Sequence, residues 1–128
     1  MEINNKKLII MTSLMSTFLG IQSQFKVLHW QTQSYSKHIA YGGIYDTIGE
    51  LSDDFMEIYM GKYGRPEFQP EFAIMFQNIE TINIQDFLDG ITEFLVSMTE
   101  VLDSKYDSDL LNIRDEILGE TNKLKYLL

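Results

Sequence analysis

Apolar residues recur every three or four positions in four separate segments of this chain, and this spacing constrains the fold more than any other feature. Such a period places the apolar side chains on one face of a helix. Both prolines, Pro66 and Pro70, lie in a single interval, and proline ends or kinks a helix. Because other helix breakers are few, the sequence predicts an all-α protein. Its 128 residues suit a single domain, residues 1–128.

Four amphipathic helices are predicted from these apolar faces. They cover about residues 5–32, 36–62, 84–104 and 107–126. The face of the first helix is formed by Ile10, Leu14, Phe18, Ile21, Phe25 and Leu28. A polar turn follows, in which Ser34 or Ser36 can cap the second helix. The Gly42-Gly43 pair inside that helix marks either a kink or a close helix contact. The break before the fourth helix is short, so the last two helices should be antiparallel neighbours.

The connection between the second and third helices is long and apolar. Gly64, Arg65 and Pro66 stop the second helix. Apolar residues then continue through Phe68, Phe72, Ile74, Met75, Phe76 and Ile79. Pro70 and Glu71 suit the first turn of a short helix over about residues 70–79. Connections in the order short, long, short predict a four-helix bundle of ferritin-like topology, with a long crossover that carries a short helix between helices 2 and 3.

Charge and cysteine content exclude several kinds of function. The chain has 19 acidic and 10 basic side chains, a formal net charge of −9 and no cysteine. Nucleic-acid binding is disfavoured because it depends on Lys and Arg contacts to phosphates, and thiolate metal sites and thiol nucleophiles are absent. The first apolar stretch is interrupted by Thr12, Ser13, Ser16 and Thr17, so it fits an amphipathic helix better than a signal peptide or membrane span. We expect a soluble, intracellular protein without membrane partners.

Two histidines flank the first turn, and carboxylates follow on the second helix. Asp46, Asp53 and Glu57 fall within about 100° of His38 on a helical wheel, and His29 lies near the end of the first helix. Imidazole and carboxylate groups together suit iron, manganese or zinc. These five residues are therefore candidate metal ligands. The alternative interpretation is a solvated acidic face with His29 as a half-buried, hydrogen-bonded residue.

A di-iron centre inside one bundle is not expected. Such centres take a Glu and often a Glu-x-x-His pair from both helix pairs, and the last two helices contain no histidine. Any metal site should therefore use the first two helices only, within one subunit or between two.

The order Leu28-His29-Trp30-Gln31, a polar turn, His38 and Asp53-x-x-x-Glu57 resembles the Dps family of miniature ferritin-like iron-storage proteins. The resemblance covers roughly residues 8–62. It implies an intersubunit ferroxidase site, in which the two histidines of one subunit meet the Asp and Glu of a two-fold partner. Two departures stand out: the turn is about three residues shorter, and Gly42 occupies the position of a family Asp. Asp46 lies one turn further along the same helix.

The strings Leu-His-Trp-Gln-Thr-Gln-Ser-Tyr at residues 28–35 and Tyr-Met-Gly-Lys-Tyr-Gly-Arg at residues 59–65 are also similar to small uncharacterised proteins of tailed phages. Those proteins are regarded as distant ferritin-like relatives of unknown function. This resemblance implies the same fold without an activity, and it implies a location in the host cytoplasm or the virion.

Two functional hypotheses follow. The first is a Dps-like homo-oligomer, assembled through helices 1 and 2, that binds Fe, or Mn or Zn, and oxidises Fe(II) if its site is active. The second is a non-catalytic phage structural or host-interaction protein that retains the ferritin-like scaffold without metal chemistry.

Overall fold

A computed structural model describes residues 5–68 and 70–128 of the chain, with side chains from Ser13 onward. The predicted contribution of Ile10 to the first apolar face lies outside the described side chains. The helices are α1 (Asn5–Gln31), α2 (Tyr35–Tyr63), α3 (Ile84–Val101) and α4 (Ser108–Leu127). No strand occurs in these ranges, so the all-α prediction is confirmed. None of the described helices is long and apolar enough to cross a membrane.

Local hydrogen bonds set the helix ends. Ser34 caps α2, as one of the two predicted candidates, because its hydroxyl accepts a bond from the Lys37 amide at 3.3 Å. Asn83 caps α3 in the same way, through the Asp86 amide at 3.0 Å. Gly64 ends α2 with a φ of 95°, a backbone conformation that favours glycine. The polar turn and the glycine stop signal were thus sufficient to place these ends.

The apolar faces of all four helices meet in one core. Phe18 of α1 packs edge-on against Phe55 of α2, at 5.2 Å between ring centroids, and against Phe94 of α3 at 5.4 Å. The largest fully buried side chains are Tyr41, Tyr59, Phe25, Phe55, Leu28, Ile48, Leu88, Leu95, Met98, Leu110 and Ile117. The four helices therefore share one hydrophobic core.

Aromatic contacts show that α1 and α2 are antiparallel. Phe25, late in α1, stacks near Tyr41, early in α2, whereas Phe18 meets Phe55 further along α2. The same Phe25 ring lies 5.1 Å from the ring of Phe87, at the start of α3. The third helix therefore begins at the end of the bundle that contains the α1–α2 turn.

The α3–α4 pair is antiparallel, as predicted. Arg114 of α4 donates to the Leu95 carbonyl at 2.9 Å, while Lys125, eleven residues later, pairs with the earlier residue Asp89 at 3.3 Å. Helix α4 also packs against α2. Helices α2 and α3 both begin at the end of the bundle that contains the α1–α2 turn, so they run in the same direction. The chain between them must therefore return along the length of the bundle.

That return segment, residues 64–83, contains no helix among its described residues, and the predicted short helix over 70–79 is wrong. The buried side chain of Gln24 pairs instead with the backbone of Gln77: its amide donates to the carbonyl at 2.9 Å and its oxygen accepts from the N–H at 2.8 Å. Gln31 binds the Ile79 amide at 2.7 Å. Because α1 satisfies these backbone groups, they do not need partners within a helix of their own.

The apolar residues of the crossover are only partly covered. Ile74 packs closely against the bundle where Gly20 of α1 leaves room, at 3.4 Å from an ideal Cβ position. Phe72, Met75 and Phe76 are exposed. The apolar content of this segment therefore reflects contact with α1 along one side and leaves three large side chains in solvent.

A buried carboxylate joins α2 to the α3–α4 turn at the other end of the bundle. Asp107 accepts hydrogen bonds from the Tyr63 hydroxyl and from the Asp103 amide at 2.9 Å, and it lies 3.5 Å from the Lys62 ammonium. Burial and the bond to Asp107 raise the pKa of the Tyr63 phenol. The network supplies the partners that a buried carboxylate requires.

We predict that Gln24→Ala destabilises the fold by about 1–3 kcal/mol, because it leaves two crossover backbone groups without partners. Chemical denaturation measures the loss, and hydrogen exchange at the Gln77 amide should accelerate. The control is Gln33→Ala in the exposed turn, which should leave both quantities unchanged. Unaltered exchange at Gln77 would contradict the role assigned to Gln24.

Tyr63→Phe should cost about 1–3 kcal/mol at neutral pH, since it removes the phenol that donates to Asp107. The Tyr63 pKa is raised in the folded state, so this contribution is complete below the unfolded tyrosine pKa of about 10. It declines as the pH rises above that value towards the higher folded pKa, because the unfolded chain then loses the proton first. Thermal denaturation from pH 7 to 11 tests this, with exposed Tyr126→Phe as the control. A wild-type advantage that is constant over that range would be inconsistent with the network.

Candidate functional site at the first helix hairpin

The structure brings His29 and His38 together across the α1–α2 turn. Nδ1 of His29 lies 2.7 Å from the carbonyl oxygen of His38, and Nδ1 of His38 lies 2.8 Å from the carbonyl oxygen of His29. The two rings stack, with centroids 3.8 Å apart and planes inclined by 18°. We call this reciprocal arrangement the histidine clasp.

The clasp determines the tautomer of both rings. A carbonyl oxygen can only accept, so each Nδ1 must carry the hydrogen. In the neutral rings Nε2 is then the unprotonated nitrogen. Carbonyl bonds of this kind also orient histidines that ligate metals. The hydrogen-bond pattern alone is therefore compatible with either a structural or a ligating role.

The stacking geometry separates these roles. A zinc ion bound by imidazole lies about 2.0–2.1 Å from nitrogen, close to the plane of the ring because the lone pair lies in that plane. Two nearly parallel rings with centroids 3.8 Å apart are in face-to-face contact, so no single point lies near both planes. In this arrangement His29 and His38 cannot chelate one ion together, although each Nε2 can accept one bond.

Gly42 has a positive structural role in the clasp. A Cβ atom at this position would lie 2.9 Å from both Cε1 and Nδ1 of the His29 ring, which is closer than real contacts allow. The next residue, Gly43, has open space around it. Of the two interpretations made from the sequence, Gly42 therefore marks a close helix contact. A side chain at residue 42 is incompatible with the observed position of His29.

The candidate carboxylates are not brought to the histidines within one chain. Asp53 follows His38 by fifteen residues in the same helix, which is about 22 Å along the axis. Asp46 and Glu57 are also exposed on α2. Among the residues that the structure describes, no three His, Cys, Asp or Glu side chains are grouped to hold a metal ion. An intersubunit metal site with these residues stays a prediction.

Asp53 and Glu57 form an acidic pair, and no ion pair to either carboxylate occurs among the side chains that the structure describes. The pKa of Glu57 is raised, mainly by repulsion from Asp53. Three further effects act in the same direction: a hydrogen bond with Asp53, partial desolvation and the charge of Asp54. Like charges one helical turn apart disfavour each other in this way. A cation delivered from outside the chain would relieve this repulsion.

Sequence reasoning missed a cation–aromatic group on the same hairpin. The Lys26 ammonium lies 4.6 Å from the centre of the Tyr45 ring and 5.6 Å from that of Trp30, within the range of cation–π attraction. Trp30 is 70% exposed. The four-residue spacing of Lys26 and Trp30 on one helix could have indicated their proximity, but the contribution of Tyr45 required the helix pairing.

Fold and hairpin together define a small all-helical protein with a hydrogen-bonded histidine pair. The chain belongs to the family described as Family of unknown function (DUF5856), whose model matches residues 29–128. It is 30% identical over 112 residues to the uncharacterised 14.6 kDa protein in the mobD-ri intergenic region of Enterobacteria phage T4, covering 86% of this chain and 80% of that protein. This agrees with the predicted similarity to small phage proteins. No solved structure matches the chain.

Gly42→Ala and Gly43→Ala should have opposite effects. Replacing an open helical glycine by alanine stabilises by up to about 1 kcal/mol, which is the expectation for Gly43. At Gly42 the new methyl group displaces the His29 ring and breaks the clasp, so Gly42→Ala should be the less stable variant by about 1–3 kcal/mol.

A double-mutant cycle with His29→Ala identifies the cause, because the penalty at Gly42 should vanish when the ring is absent. Denaturation of the four variants measures it. An equal gain from both alanines in the wild-type background would disprove the proposed contact.

Proposed function

We propose that this protein is a non-catalytic interaction module, built on a ferritin-like four-helix bundle, that acts as a homo-oligomer. The observation that carries this proposal is the histidine clasp. Both imidazoles are committed to closing the α1–α2 turn, and their face-to-face contact is unsuited to joint chelation of one ion. The two histidines of the ferroxidase-like set thus contribute to the fold.

The helix order supports the ferritin-like assignment. Two antiparallel hairpins are joined by a long crossover, so that α2 and α3 run in the same direction, as in bundles with one crossover connection. A fold of this kind serves many unrelated purposes. The function must therefore be argued from the surface and the hairpin.

The phage relative supports a viral context. The T4 protein is uncharacterised and shares 30% identity over most of its length. We propose that the present chain is phage-encoded and works as a structural or host-interaction protein in the host cytoplasm or the virion.

A second candidate function is binding of Fe, Mn or Zn between subunits, favoured by the acidic pair at Asp53 and Glu57. In that arrangement one Nε2 of the clasp and the carboxylates of a two-fold partner supply the ligands. The separation of His38 from Asp53 along α2 requires the partner, and only one ring of the stack can face the ion.

Substitutions at His38 distinguish the two functions. Asparagine places an amide N–H near the position of Nδ1 and lacks Nε2, whereas glutamine approximates Nε2. If the histidine closes the hairpin, His38→Asn should be more stable than His38→Gln or His38→Ala. The cost for alanine should be about 1–3 kcal/mol, and thermal denaturation in the presence of a chelator measures it.

Metal binding is tested by thermal denaturation of the wild type and the same three variants with Fe(II) under anaerobic conditions, with Mn(II) and with Zn(II). A non-catalytic module should show the same Tm with and without metal. A rise of several degrees in the wild type, lost in all three variants, would overturn the proposal in favour of the metal site, because a ligand that binds only the folded state raises its stability.

A further inference from the structure

A groove lies on the outer side of the α1–α2 hairpin. It is about 250 Å³ in volume. Its lining is Met15, Phe18, Leu19, Gln22, Gly49, Ser52, Asp53 and Met56. Leu19 is 45% exposed, although the core side of the same helix is fully covered. An apolar groove of this kind on an otherwise acidic protein has the composition of an interaction surface.

Opposite charges lie on the hairpin face that contains this groove. Lys26 lies over Tyr45, with Trp30 beside it, one turn beyond Gln22 and Gly49 of the lining. Asp53 lines the groove, and Glu57 follows one turn further along α2. In the described part of the chain Lys26 forms no ion pair; it rests on aromatic rings instead. A cation and an acidic pair thus remain available on one face.

The spacing of these charges fits a two-fold axis. Tyr45 and Asp53 are eight residues apart on α2, about 12 Å along the axis, and Gly49 lies midway. At Gly49 a Cβ atom would overlap the side-chain amide of Gln22, so the glycine allows the helices to approach closely between these two positions. A rotation of 180° about an axis through this point would place Lys26 of one copy near Asp53 and Glu57 of the other.

We propose that two copies associate through this groove in an isologous dimer, with Lys26 of each subunit facing Asp53 and Glu57 of the other. In such an interface the same patch serves both subunits, and each contact occurs twice. Trp30 and Tyr45 provide aromatic contacts, of residue types that often dominate binding energy at interfaces, and Leu19 adds apolar area. The inference rests on the proposed homo-oligomer and is independent of metal binding.

The only tryptophan of the chain gives a direct test in the wild-type protein. Trp30 is 70% exposed in a single copy and becomes buried in the dimer. Its emission should shift to shorter wavelength as the protein concentration rises, in parallel with the dimer mass measured by sedimentation, both in the presence of a chelator. A chain that stays monomeric up to several hundred micromolar would overturn the proposal.

Charge reversal tests the pairing. Lys26→Glu alone, or Asp53→Lys with Glu57→Lys, should weaken dimerisation about tenfold or more, because like charges would face each other across the axis. Mixed in equal amounts, the two variants should form a heterodimer, since both contacts are then complementary. Native mass spectrometry identifies this species. Lys123→Glu on exposed α4 is the matched control and should leave the dimer unchanged.

Leu19→Arg provides a test that does not involve the ion pairs, since it places a charge in the apolar groove. This variant should also abolish the dimer. Circular dichroism verifies that each variant is folded. Folded reversal variants that remain dimeric, or that fail to combine, would show that the interface lies elsewhere. The role of the histidine clasp would be unaffected, because its test uses stability and metal response.

Discussion

The close approach of α1 and α2 is the constraint on which the rest of the structure depends. It is permitted at two glycines of α2 that lie about two helical turns apart: Gly42 accommodates the His29 ring and Gly49 the amide of Gln22. A side chain at either position would separate the helices or displace the α1 residue. Because the helices lie this close, the histidines can exchange hydrogen bonds with each other's backbone, and Lys26 can reach the Tyr45 ring. The clasp and the outer groove are two consequences of one packing contact.

Helix number, order and ends were predictable because they depend on local patterns. The spacing of apolar residues gave four helices whose ends lie within three residues of those observed, and Ser34 and Gly64 acted at the positions where capping chemistry expects them. The crossover was mispredicted for a physical reason. Pro70 and Glu71 do favour the first turn of a helix, but Gln24 and Gln31, more than forty residues earlier, bind backbone groups of this segment, which then do not need partners within a helix. A non-local hydrogen bond of this kind leaves no periodic trace in the sequence.

In the candidate site, too, local features were predictable from the sequence and non-local features were not. The proximity of His29 and His38 followed from a short turn between two helices, whereas their stacking and their reciprocal carbonyl bonds depend on the rotation of both helices and on the space left by Gly42. By comparison with the Dps motif, Gly42 stands where a carboxylate is missing. In the structure, Gly42 is the residue that leaves room for the His29 ring. The second account is the stronger, because the bulky neighbour that the glycine accommodates is one of the two histidines of the motif itself.

The distribution of charge on the α1–α2 hairpin favours one relative orientation of two copies over the others. An excess of nine acidic groups would ordinarily keep copies apart, and several cations are already used within the chain, as in the pairing of Lys62 with Asp109 and of Lys125 with Asp89. Lys26 is held instead on aromatic rings, beside an apolar groove that Asp53 lines. Mutual repulsion disfavours most relative orientations of two copies, and the proposed orientation is the one in which Lys26 attracts Asp53 and Glu57 while the apolar surfaces meet. Electrostatics of this sort selects a geometry more than it adds affinity, which is the contribution that the proposed dimer requires.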